Sequence, residues 1–354
     1  VILLLVLTGF REAVFRAVPA QLKTAISVGL GLFIALIGLI DAKVVRQGGT
    51  PLELGLGGSL QGWPTLVFMF GLFLTLILMV RKVRGAILIG ILSSTVLAVI
   101  VEAVANLGAF NAEKNKTGWS LTVPHLNGSP FAMPSFETLG KFSLLGSIDK
   151  VGIVSVVLLV FTLLLADFFD TMGTMIAVGA EGDLLDSEGN PPKTREILVV
   201  DSLAAVAGGM GGVSSNTSYI ESATGVGEGA RTGLASVVTG CLFFLSMFIA
   251  PLVSMVPYEA ATPALVIVGF LMMTQVAEID WTDLEIAIPS FLTIAMMPFS
   301  YSITNGIGAG FLSYVVLAVA RGKVKQIHPL MWLTAALFLV YFTLAPIKAI
   351  LGVS

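Results

Sequence analysis

Nine apolar stretches, each long enough to cross about 30 Å of hydrocarbon, restrict this chain more than any other feature. They fall near residues 22–40, 63–80, 85–105, 151–180, 232–256, 262–277, 285–300, 302–320 and 330–350. Inside a bilayer no water is at hand for backbone N–H and C=O groups, so such runs must be helices, which satisfy those groups internally. A soluble alternative fails on composition. Hydrophobic residues make up 56% of the 354, charged residues 12%, and mean hydropathy is +0.97. A soluble fold of this length would need a polar coat that the sequence does not supply. The expected fold class is an all-α polytopic membrane protein.

Several function classes drop out early. Net charge is −3 with no basic stripe, which argues against a nucleic-acid partner. The single Cys241 lies in an apolar run, excluding disulfides and thiolate metal sites. His125 and His328 fall in polar connectors, leaving no histidine metal constellation. No metal or other cofactor is expected. The chain opens at Val1 inside the apolar run Val1–Thr8, with no charged n-region ahead of it, and reads as lacking its amino-terminal spans.

Two polar connectors stand out, 41–62 and 107–150. The second is too long for a tight turn and should fold on the surface. Basic residues cluster at Arg11/Arg16/Lys23, Arg81/Lys82/Arg84, Lys193/Arg195, Arg231 and Arg321/Lys323/Lys325. Counting spans puts these clusters on one face, cytoplasmic by the positive-inside rule, with 107–150 outside. An internal repeat accompanies this topology. Val18-Pro19 precedes Gly31 at the spacing by which Val256-Pro257 precedes Gly269, and "VRGAILIGILSSTVLAVI" has a counterpart in "ITNGIGAGFLSYVVLAVA". The two copies cross in opposite directions, as in inverted-repeat transporters.

The sharpest chemical signal is "LLLADFFDTMGTMIAVG". Asp167, Asp170, Thr171 and Thr174 stand at i, i+3, i+4 and i+7, on one helical face. A charged acid at that depth costs ~2.5–3.5 kcal/mol on insertion scales, so it must face a wet cavity, pair, or stay protonated. Phe168 and Phe169 stand beside it, where a flat ligand could stack. The second signal is "GGMGGVSSNTSYIESATGVGEGARTG". Glycine and hydroxyl density of this kind breaks a membrane helix. Val213–Ser218 reads as a short extended segment, with a half-helix starting near Tyr219 or Glu221 whose amino end offers N–H groups to a polar ligand. Asp201 is either a buried polar pin or the start of a re-entrant path. Glu102 reads as a snorkelling interface residue, Asn305-Gly306 as a turn, and the acidic stretch 181–188 as a solvated connector.

At "ADFFDTMGTMIAVGAEGDLLDSEGNPPKTREILVVDSLAAVAGG", followed by "TSYIESATGVGEGARTGLASV", the chain resembles the AzgA-like purine permeases of the nucleobase–ascorbate transporter superfamily. The resemblance extends through the opening "TGFREAVFRAVPAQLKTAISVGLGLFIALIGL". It implies the uracil-permease fold, two inverted repeats of seven spans arranged as core and gate domains, with short strands in broken helices. Chain order then makes 1–10 the remnant of the fourth span and 11–106 the gate spans of the first repeat. Residues 107–150 become an extracellular connector, 151–256 the core spans of the second repeat with a broken segment over 196–231, 257–320 its gate spans, and 321–354 a carboxy-terminal segment. About the first three spans would be absent.

Carried over position by position, Asp167 matches the family's substrate-site acid, Glu221 the acid at the start of the tenth span's helix, and Asp170 a supporting acid. The implied substrate-binding set is Asp167, Glu221, Asp170, Phe168, Thr171, Ser218 and Ser222, with Asp167 and Glu221 as proton-coupling candidates. Gly229-Ala230-Arg231 departs from the family's doubled glycine, and Val213 and Asn216 fall where small residues or threonine are usual. The implied activity is proton-coupled import of hypoxanthine, guanine or adenine. Its partners are the nucleobase, a proton, the lipid bilayer and, as an option, a second copy in a homodimer. A carrier for uracil, xanthine or another small solute is the nearest alternative. A channel and an intramembrane aspartyl hydrolase are remote ones, since Asp167 and Asp170 share one helix and cannot form a facing dyad.

Overall fold

The computed structural model describes residues 1–126, 128–143, 146, 148, 152–219 and 221–345. Among the described residues, every apolar run of the sequence is mostly helix. Among the described residues, six helical spans are long and apolar enough to cross a membrane: Ala20–Asp41, Trp63–Val80, Ala86–Ala105, Ile153–Glu181, Tyr258–Glu278 and Ile303–Ala320. Three shorter apolar helices join them, Leu234–Ser246, Leu284–Phe299 and Pro329–Phe342. The 232–256 run is interrupted, because a second short helix, Ala250–Val253, starts around Pro251. Proline lacks the N–H that would bond back one turn, and its ring crowds that turn. The end of the 330–350 run, from 346 on, lies outside the described residues.

The chain divides into two compact units. One comprises Val1–Phe33, Phe136–Ala223 and Met272–Ser354. In it, Leu284–Phe299 and Ile303–Ala320 form a close antiparallel pair, and the second also packs on Ile153–Glu181 and Pro329–Phe342. Closeness depends on Gly306 and Gly310, where an added Cβ would strike Met297 and Thr293. Phe169, Phe311 and Phe338 make a three-ring core, with centroids 4.8–5.8 Å apart. The turn expected at Asn305-Gly306 lies earlier. The helix pair is joined at Ser300–Ser302, and Ser302 caps the second helix by accepting from the Asn305 N–H at 3.3 Å. A serine able to satisfy an orphan N–H sets the helix start ahead of the asparagine.

The other unit comprises Ile34–Ser135 and Thr224–Leu271. Trp63–Val80 and Ala86–Ala105 pair here, and Tyr258–Ala261 packs on both. The 41–62 connector carries a two-stranded antiparallel pair, Val45–Arg46 with Glu53–Leu54. The 107–150 connector does not simply lie on the surface. Its Trp119 is fully buried against Val67, Ala98 and Ala260. Glu102, expected to snorkel, instead turns inward. Its carboxylate accepts from the Trp119 indole at 2.8 Å and from the N–H groups of Leu107 and Gly108 at 3.0 and 3.1 Å. A large buried indole needs an acceptor for its N–H, and a helix ending at Ala105 has a carboxylate one turn back to provide it. The buried Glu259 binds the neighbouring Ser120 N–H at 2.8 Å. Phe110 lies under the Lys43 ammonium and the Arg46 guanidinium, 5.1 and 5.5 Å from its centroid.

Candidate functional site

The site residues belong to the first of these units, and the local fold that assembles them starts at Gly208. The Thr194–Gly211 helix stops at Gly212, whose left-handed backbone (φ 70°) is the usual terminator. The chain then folds back across the helix it has just left. At Gly208 the returning strand comes so near that an added Cβ would lie 2.5 Å from the Ser214 carbonyl oxygen and 3.1 Å from the Asn216 nitrogen. Residues 213–219 are non-helical, as their hydroxyl content and the glycines just before them foretold. They do not form the strand expected there. The only paired strands among the described residues are those in the 41–62 connector, and the polar groups of 213–219 bond to carboxylates instead.

Asp201 is the main recipient. One oxygen accepts from the Thr217 hydroxyl at 3.1 Å, the Ser218 N–H at 3.0 Å and the Ser218 hydroxyl at 3.3 Å. The other accepts from the Thr171 hydroxyl at 3.0 Å and pairs with the Arg11 guanidinium at 3.2 Å. Both charged side chains of that pair are at most 2% exposed. Asp201 is thus a buried pin that joins three segments. Arg11 extends the junction further, donating to the Ser202 hydroxyl at 3.3 Å and to the carbonyl oxygens of Asp167 and Phe168 at 3.3 and 3.5 Å.

Asp167 is treated differently. Its Oδ1 accepts from the Ser215 hydroxyl at 2.9 Å, while its Oδ2 is buried with no hydrogen-bond partner. Asp170, one turn along the same helix, is part-buried and carries no side-chain hydrogen bond among the described residues. A half-satisfied carboxylate next to a non-helical, hydroxyl-rich segment is an acceptor site for an N–H or O–H donor.

The other expected site residues fall in distinct places. Thr171 and Ser218 both bond to Asp201. Phe168 is buried, with the Arg11 guanidinium 5.3 Å from its ring centroid and the tilted Phe169 ring at 4.9 Å. Glu221 and Ser222 are exposed at the start of the Ser222–Gly227 helix. With six residues, that helix is too short to develop the dipole a longer half-helix would offer. Arg231 closes its far end by donating to the Val226 and Ala230 carbonyls.

Arg11 and Lys23, which the sequence places in a basic cluster on the cytoplasmic face, are both buried. Each is 1% exposed. Lys23 donates to the Asn190 side chain at 2.6 Å and the Glu188 carbonyl at 2.8 Å, which anchors the acidic loop after Glu181. In that loop Asp186 accepts from the N–H groups of Glu188 and Asn190 at 2.9 and 2.8 Å, and these bonds hold its carboxyl below the usual carboxylate range. A signal for Arg11 existed. Arg11, Val14, Phe15 and Val18 are all buried at i, i+3, i+4 and i+7, so the arginine sits on the apolar face of its helix. Ser215 and Thr217, also missed, alternate with the positions singled out in the same segment. Among the described residues no cluster of His, Cys, Asp or Glu is arranged to hold a metal ion.

Known proteins resemble this chain. A permease-family model (Xan_ur_permease) matches residues 1–309. The guanine/hypoxanthine permease PbuG of Bacillus subtilis (strain 168) is 36% identical over 336 residues, covering 95% of this chain and 71% of the relative. The adenine permease AdeP of Escherichia coli (strain K12) is 38% identical over 339 residues, covering 95% and 70%. A second B. subtilis protein, the guanine/hypoxanthine permease PbuO, is 37% identical over 341 residues, covering 96% and 74%. Family match, identity and the apolar spans agree: this chain belongs to the xanthine/uracil permease family and is a multi-pass integral protein of the cell membrane.

Proposed function

We propose that this protein imports purine nucleobases by proton symport, with Asp167 as the principal substrate contact. Relatives that match nearly all of the chain are guanine/hypoxanthine and adenine permeases, which gives the substrate class. The observation that carries the residue assignment is the Asp167 carboxylate, with one oxygen held by Ser215 and the other buried without a partner. A purine is planar, with N–H donors and ring-nitrogen acceptors on its edge. Its N–H would complete the Asp167 carboxylate, and backbone N–H groups of the 213–219 segment would serve its acceptors. Asp170 supports from one turn away, and Glu221 and Ser222 border the same segment. Thr171 and Ser218 act on the site through Asp201.

For coupling, one acid, Asp167 or Glu221, takes a proton from outside and is neutralised as substrate enters. The substrate-bearing core then shifts against the gate, and the proton leaves inside. A membrane potential of 100 mV contributes ~2.3 kcal/mol per charge moved, sufficient for roughly fifty-fold accumulation.

The finer architecture in this reading is the inverted repeat with core and gate domains, and local geometry supports it. Thr75 bonds the carbonyl four residues back, at Gly71, and faces Gly90 so closely that a Cβ there would collide with it. In the other helix pair Thr293 bonds the carbonyl of Pro289 and faces Gly310 in the same way. Gly90 and Gly310 occupy the same register in the two sequence copies.

Uptake of labelled hypoxanthine, guanine and adenine by cells expressing the full-length protein tests the proposal. Unlabelled hypoxanthine, guanine or adenine should compete, and uracil and xanthine should not. Transport that survives intact in both Asp167→Asn and Glu221→Gln would overturn the assignment of the acids.

A further inference from the structure

The Arg11–Asp201 pair is the feature that the transport reading has not used. Arg11 stands on the apolar face of Phe10–Ala17, yet its guanidinium reaches three other segments of its unit. One terminal nitrogen pairs with Asp201 and Ser202, and the other holds the two backbone carbonyls where Asp167 begins its turn of helix. Asp201 has five donors, including Arg11, around its two oxygens, with no lone pair left over for a ligand. Three carboxylates, Asp167, Asp170 and Asp201, therefore share this region with one buried cation.

Charges on the surrounding elements do not alter that balance. On the arginine's own helix, Glu12 and Arg16 pair with each other at 3.1 Å on an exposed face. On the Asp201 helix, Arg195 and Glu196 are exposed in the first turn. On the Asp167 helix, Glu181 is the last residue, and on the 213–219 side the next acid is the exposed Glu221.

We propose that Arg11 is a positioning residue which keeps Asp201 ionised throughout the cycle and thereby reserves proton and substrate exchange for the acids on the Asp167 side. The inference rests on the proton-coupled reading above. Two physical facts carry it. A buried carboxylate stays charged only while paired and hydrogen-bonded. Removing the cation alone leaves an uncompensated acid that takes up a proton of its own, which adds a second titrating group to transport. The same arginine ties that pin to the backbone of Asp167, so its loss also loosens the binding acid.

The experiment compares the wild-type protein, Arg11→Lys, Arg11→Met and the double variant Arg11→Met/Asp201→Asn, using labelled hypoxanthine uptake between pH 5 and 8. Protein in the membrane is quantified for each variant. Wild-type uptake that is proton-dependent establishes the underlying reading, and its absence would sink that reading rather than this one. Given wild-type transport, Arg11→Met should fall at least tenfold with an altered pH profile. Arg11→Lys, which keeps the charge but not the fork, should raise KM with a wild-type pH profile. The double variant, charge-balanced again, should recover uptake above Arg11→Met and return to the wild-type pH profile. Two results overturn the proposal: an Arg11→Met protein with wild-type uptake and pH profile, or a double variant no better than Arg11→Met. If Arg11→Met fails to reach the membrane, a double variant that is inserted but keeps an altered pH profile overturns the proposal, and one with the wild-type pH profile supports it.

Discussion

Asp201 and Asp167 stand on two helices of one unit, and the protein treats their carboxylates in opposite ways. Asp201 gives both oxygens to Arg11, Thr171, Thr217 and Ser218, and its side chain is 1% exposed. Asp167 gives one oxygen to Ser215 and leaves the other buried and unpartnered. The same residue type thus serves as a structural junction at one position and as an open acceptor at the other. Buried polar groups are normally satisfied, so the incomplete one marks where a ligand is expected. The complete one shows what holds that place in shape.

Four measurements would break or sharpen this contrast. Asp201→Ala should have the largest effect, because it strands the Arg11 charge in a buried site; a loss of about 3–5 kcal/mol is expected. Thermal unfolding of the detergent-solubilised protein reads it, and an unchanged midpoint would remove the distinction between the two acids. Asp167→Asn should leave that midpoint nearly unmoved while lowering purine uptake about a hundredfold, equivalent to ~2.7 kcal/mol in kcat/KM. Ser215→Ala removes one hydrogen bond from Asp167, for which roughly 0.5–1.5 kcal/mol is expected. It should appear as a several-fold rise in KM with the amount of protein in the membrane unchanged.

The smallest effect concerns Asp186, a carboxylate that is fully coordinated like Asp201 but solvent-exposed. Its folded-state pKa lies below the ordinary value, so its contribution is present above the ordinary carboxylate range. That contribution is lost as pH falls through the folded value. Asp186→Asn should cost roughly 0.5 kcal/mol or less at neutral pH, given solvent screening. The difference from wild type should vanish in strongly acidic buffer, and a difference that grows with acidification would contradict the sign.

Much of this was legible in the sequence, and for identifiable reasons. Spans at 63–80 and 85–105 were read from apolar run length and became Trp63–Val80 and Ala86–Ala105. The break after Gly211 was read from glycine and hydroxyl density, and the chain does leave helix there. Asp167 stood out as a candidate because an acid in an apolar run has few harmless explanations. For Arg11, Lys23 and Glu102 the partners were not legible, for one shared reason. Each can snorkel or bury depending on a partner distant in sequence, at Asp201, Asn190 and Trp119 respectively, and no local pattern names that partner.

The sequence by itself determined that the chain is membrane-embedded and helical, where its spans lie, and which segments carry the polar chemistry. Those properties follow from the cost of placing backbone and charge in hydrocarbon, which is paid residue by residue and can be summed along the chain. The tertiary structure alone decided which acid is closed and which is open. That choice depends on Gly208 letting the 213–219 segment fold back over its own helix, and on an arginine 190 residues from its partner. Hydrogen-bond satisfaction is a property of neighbours in space, and spacing along the chain does not encode it.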